Sequence, residues 1–175
     1  MLAYVLWHWP GPEVDLGRYT ESLSAFHRAL RAAPPEGFAG SRVREVHGAP
    51  WLPVPRAFED WYLVEDFAAL GALEVAAVSG PRRARHDGAA RLARGGTAGL
   101  YGRLRDGAVD AGRAAWFAKP AGVPYPDFVA RLPTAELWQR KLTLGPAPEF
   151  CLSGGTPPAD AEGVITLGVK TLAVE

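Results

Sequence analysis

The sequence has one cysteine, Cys151, so no internal disulfide can brace the fold. Asparagine is absent, and methionine, isoleucine and glutamine occur once each. A scarcity of thermolabile side chains is compatible with a thermophilic source, although a GC-rich genome gives the same bias. Formal net charge is zero, which removes the electrostatic reason to expect nucleic acid or an anionic membrane as a partner. No apolar stretch approaches the roughly 18–20 residues needed to span a bilayer. The opening residues, Met1-Leu2-Ala3-Tyr4-Val5-Leu6-Trp7, carry no basic segment and no small-residue cleavage site. They read as a strand, and a cytoplasmic location is the default expectation. No two of the four histidines stand at i, i+2 or i, i+4, and there is no Cys/His ligand spacing, so neither a metal nor a cofactor is expected. The nucleophile elbow, the P-loop and the dinucleotide fingerprint are all missing.

What is present suits one compact globular unit, or two small fused halves: 175 residues, 48% apolar and 22% charged. Residues 2–9 are dense in β-favouring aromatics and end at Pro10-Gly11-Pro12. Asp15 is placed to cap a helix to about Ala32, with Leu16, Tyr19, Leu23, Phe26 and Leu30 as its apolar stripe. Strands are expected over 38–47, with Val43 inward and Arg42 and Arg44 on the other side, and over 58–65. Asp66 can cap a helix over 67–78. A second helical piece, 81–94, ends at Gly95-Gly96, and a strand follows over 97–105. This order, strand-helix-strand-strand-helix-strand, is that of a ferredoxin-like unit.

The rest repeats the plan in degenerate form: a strand over 113–119, a short helix over 125–132, strands over 136–144 and 149–152, and a last strand over 164–174. The second helix of this half is missing. The expectation is therefore an α+β fold of two ferredoxin-like halves, residues 1–107 and 108–175, each an antiparallel sheet with helices on one face. Packing the two bare faces together buries both and closes an α/β barrel. In this order of elements the chain resembles the dimeric α/β-barrel superfamily, with both halves in one chain. The resemblance places a site in the cavity between the sheets, and its members include small monooxygenases, isomerases and haem-handling enzymes. It leaves the chemistry open. An intact barrel within one chain also removes the usual reason to dimerise, so a monomer is favoured.

Strand alternation puts Tyr4, Leu6 and His8 on one face, and Asp60, Tyr62 and Val64 on one face of their own strand. The ferredoxin-like reading makes the first and third strands parallel neighbours at the centre, so His8 is expected level with Val64 or Glu65, where a carboxylate would make it a general base. The same position also suits a strand-end histidine satisfied by backbone or water. Asp60 is costly to bury unpaired, so Arg42, Arg44 or the Tyr62 region is its expected partner. His8, Asp60 and Tyr62 are thus the candidate catalytic residues. Trp51, Trp61, Tyr101 and Trp116 are candidate walls for a flat apolar ligand, with His86 as a further contact.

His86 and Asp87 point about 100° apart on a helix and are not expected to pair. Arg82, Arg83, Arg85, Arg91 and Arg94 around them can grip an anion or simply form a solvated basic face. His27, beside the first helix's stripe, reads as a boundary residue. Cys151 reads as a buried, inert thiol. The function expected first is a cofactor-independent oxygenase, isomerase or lyase, or a binder of a small apolar or aromatic molecule. The alternative is a non-catalytic ligand-binding or homo-oligomeric interaction module.

Overall fold

The computed structural model describes residues 1–109 and 112–174. It is an α+β protein in which eight strands form one antiparallel sheet. The strands are β1 (Leu2–Pro10), β2 (Phe38–His47), β3 (Arg56–Val64), β4 (Ala93–Arg105), β5 (Arg113–Ala118), β6 (Glu136–Arg140), β7 (Phe150–Ser153) and β8 (Glu162–Val174). The helices are α1 (Leu16–Ala32), α2 (Phe67–Ala77), α3 (Arg83–Ala90) and α4 (Tyr125–Ala130), with one 3-10 turn at Gly80–Arg82. The hydrogen-bonded order is β1-β3-β2-β8-β5-β7-β6-β4, and β4 pairs again with β1, closing the barrel. Read as two sets of four, β4-β1-β3-β2 and β8-β5-β7-β6 follow one order.

Local chemistry sets the ends of these elements. Asp15 accepts from the Arg18 amide at 2.8 Å and Asp66 from the Ala69 amide at 2.9 Å, so each caps its helix as its side-chain type favours. Gly95 and Gly96 lie inside β4 and do not end a helix. Gly95 faces Trp9, whose ring would stand 2.5 Å from an added Cβ, so only glycine lets this strand pass the indole. β6 stops at Arg140 because Leu142 and Thr143 both turn into left-handed backbone, at φ 53° and 56°.

The two faces of the sheet bury different cores. Inward, Val5, Trp7, Trp61, Tyr101, Trp116 and Trp138 meet in the barrel. Outward, α1 lays Tyr19 and Leu23 on Val43 and Phe58, and Phe26 and Leu30 on Tyr62 and Val64. α4 covers the far side through Phe128, against Phe117 and Phe150. No helix stands between β7 and β8. Val43 therefore packs under a helix, whereas Arg42 and Arg44 point into the barrel.

β1 and β3 are antiparallel, not parallel: His8 stands opposite Phe58, and Leu2 opposite Val64. Neighbours in this strand order alternate in direction, so His8 cannot lie level with Val64 or Glu65.

Candidate functional site

The outer face of β3 carries Phe58, Asp60 and Tyr62 in alternation, at the middle of the sheet. His8 reaches Asp60 diagonally from β1, and Ser41 stands opposite Tyr62 on β2. From above, α1 supplies Tyr19 and His27, eight residues apart and so on one helix face. His8 Nε2 lies 3.1 Å and His27 Nε2 3.2 Å from Asp60 Oδ2, and the Tyr62 hydroxyl donates to the same oxygen at 3.0 Å. Both imidazole contacts are at ion-pair distance without hydrogen-bond alignment. With the histidine protons on Nε2, each Nδ1 accepts from a hydroxyl: His8 from Tyr19 at 2.6 Å and His27 from Ser41 at 2.7 Å. The result is a buried line, Tyr19–His8–Asp60–His27–Ser41, with Asp60 only 2% and His27 0% exposed.

Ring packing holds the line in place. His27 stacks on Tyr62 at 5.0 Å between centroids, and His8 on Phe58 at 6.0 Å. Burial works against ionising Asp60, but attraction to His8 and His27, whose Nε2 atoms stand at its Oδ2, outweighs it and holds the carboxyl well below the usual range. Burial and the nearby Asp60 push the Tyr19 and Tyr62 phenols upward, so both stay protonated donors at neutral pH.

The Asp60 partners are these histidines and Tyr62, not the arginines of β2. Arg42 donates two hydrogen bonds to Glu136, at 3.3 and 2.8 Å, and its guanidinium stands 4.4 Å from the Trp61 ring. Arg44, 0% exposed, lies 3.8 Å from Glu59, which also accepts from the indoles of Trp7 at 2.8 Å and Trp61 at 2.5 Å. Burial first, then Arg42, lowers the Arg44 pKa, and Glu59 opposes that shift. Burial pushes the Cys151 thiol well up. Trp51, Trp61, Tyr101 and Trp116 all pack in or against this interior core. Aromatic rings therefore fill the space expected between the sheets.

A cavity of about 560 Å³ lies instead on the outer face, between the sheet and α2. Tyr4 and Tyr62 form part of its floor as a stacked pair with centroids 6.2 Å apart, and Phe26 of α1 and His86 of α3 close one side. α2 and the residue that follows it contribute a stripe at helical spacing: Phe67, Leu70, Gly71, Glu74, Ala77 and then Val78. Of the expected site residues, Tyr62 and His86 reach this cavity, while His8 and Asp60 sit behind Tyr62. Among the described residues, no group of three or more His, Cys, Asp or Glu side chains is placed to hold a metal ion. No helix among them is long and apolar enough to cross a membrane.

Two expectations about α1 and α3 are corrected. His27 is no boundary residue: it continues the Tyr19–Leu23 line by four and precedes Leu30 by three, so the stripe itself carried the signal. His86 and Asp87 do pair, Nδ1 to Oδ1 at 3.2 Å, because the long reach of the imidazole spans the angle between neighbours. The arginines here are largely engaged within the fold or spread over it. Arg82 donates to the carbonyls of Ala76 and Ala33, at the ends of α2 and α1, and Arg83 stands 3.8 Å from Asp87. No protein-family model matches this chain, and no curated protein matches it significantly.

Proposed function

We propose that this chain binds a small, flat, largely apolar molecule in the cavity beneath α2, and that the Asp60 cluster fixes the floor of that cavity. The observation that carries this reading is the cavity itself: about 560 Å³, walled by aromatic and aliphatic side chains with few polar groups. Gly71 adds to it. A glycine inside a helix costs about 1 kcal/mol relative to alanine, and here it faces the cavity, where an added Cβ meets nothing within 4 Å.

Binding without turnover fits the geometry better than base catalysis by His8. His8 and Asp60 do not line the cavity, and Tyr62, which does, has its hydroxyl committed to Asp60. The shared strand order of the two sets of four, and the absence of a helix between β7 and β8, support two tandem ferredoxin-like halves of dimeric α/β-barrel type, the second degenerate. A ladder that closes within one chain leaves no strand edge to pair with a second copy, which supports a monomer.

Gly71→Phe tests the reading. The variant should keep its circular dichroism and melting temperature while losing calorimetric binding of naphthylethanol, a neutral probe with a flat ring. If the parent protein binds no such probe, or the filled variant binds it equally well, the reading is wrong.

A further inference from the structure

We propose that the molecule bound beneath α2 carries a cationic amine on its apolar body and that Glu74 receives that amine, an inference resting on the ligand-binding reading of the cavity. α2 reads Phe67-Ala68-Ala69-Leu70-Gly71-Ala72-Leu73-Glu74-Val75-Ala76-Ala77, and Glu74 is its one charged residue. A lone charge that served only solubility would do so best on the face away from the cavity, yet Val75 is exposed and apolar there and Glu74 lines the cavity. It sits in the middle of the stripe, one turn after Gly71, so open space stands beside the carboxylate.

The surroundings favour positive charge over negative. Glu74 has no ion-pair partner among the described residues. No Lys or Arg lines the cavity, and the one basic ring there, His86, has Asp87 beside it at 3.2 Å. The rings of Tyr4, Tyr62, Phe26 and Phe67 line the cavity, and an aromatic ring attracts a cation over its face and does nothing for an anion. Burial and then the Glu74 charge raise the Tyr4 pKa, which places the carboxylate's field inside the cavity and leaves the phenol a neutral neighbour. An apolar amine thus meets a carboxylate for its head and rings for its body, whereas an apolar carboxylate would meet repulsion from Glu74.

Three probes of one shape but different charge decide the matter: naphthylethanol, naphthylethylamine and naphthylacetate, titrated calorimetrically into the parent protein, Glu74→Gln and Gly71→Phe. The amine should bind the parent about tenfold tighter than the alcohol, as one charge-assisted hydrogen bond allows, and naphthylacetate should bind weakest. Glu74→Gln, an isosteric change at an exposed position, should keep the fold and bring amine and alcohol to equal affinity. If the alcohol binds but the amine binds no better, or keeps its advantage in Glu74→Gln, the amine assignment is overturned and the cavity reading stands. If none of the three binds the parent, both fall together.

Discussion

At Asp60 one carboxylate oxygen faces two imidazoles and a phenol in a site closed to solvent. Because its folded pKa is depressed, its contribution to stability is present above the ordinary carboxylate range and is lost as pH falls from about 4 toward the depressed value. The melting temperature of the protein should therefore drop in acid more than that of Asp60→Asn, and the gap between the two should narrow below about pH 4. A constant gap across that range would remove Asp60 from the acid response. Asp60→Ala, which takes the carboxylate away from both buried imidazoles and the Tyr62 hydroxyl, should cost about 3 kcal/mol in denaturant unfolding. Alternation in the sequence put His8 on one face of its strand and Asp60 with Tyr62 on one face of theirs, but did not say that these are the same face of the sheet. The direction of β3 relative to β1 was not legible, so the level at which His8 stands had to come from the register. Nor could polarity alone tell which side of β2 faces the barrel: the interior takes Arg42 and Arg44 because Glu136, Glu59 and Trp61 are there to receive them.

Most elements fall where caps, prolines and apolar spacing put them, and the exceptions have local causes. Lys141 to Leu144 forms a tight turn, the Leu144 amide donating to the Lys141 carbonyl at 2.9 Å, with Leu142 and Thr143 both at positive φ. Such a turn favours Asn-Gly, and a leucine and a β-branched threonine are poor occupants of it. Nothing in Leu142-Thr143 marks a turn by residue type, which is why the segment reads as the continuation of a strand. Leu142→Asn with Thr143→Gly should raise stability by about 1–2 kcal/mol, the strain of two such residues. The midpoint of urea unfolding measures it, and an unchanged or lowered midpoint would show that the leucine side chain holds the turn.

Over the whole molecule, the order of elements along the chain could be read from the sequence, but the pairings that join β1–β4 to β5–β8 could not. β2 with β8 and β4 with β6 bring together residues far apart in the chain, and no local pattern encodes them. Those two seams tie β1–β4 to β5–β8. Residues 1–107 alone would expose the edges of β2 and β4 and the inward faces of Trp7 and Trp61. That fragment should sediment as an oligomer or aggregate and melt without cooperativity; a cooperatively folded monomer would show that β1–β4 folds without β5–β8. The indoles have a consequence for observing the protein. Trp7, Trp61, Trp116 and Trp138 are sealed in the barrel with neighbouring ring centroids about 5.5–6.2 Å apart, and no tryptophan lines the cavity. Intrinsic fluorescence is therefore an optical report on whether the barrel is shut, and is silent about whether the space beneath α2 is filled.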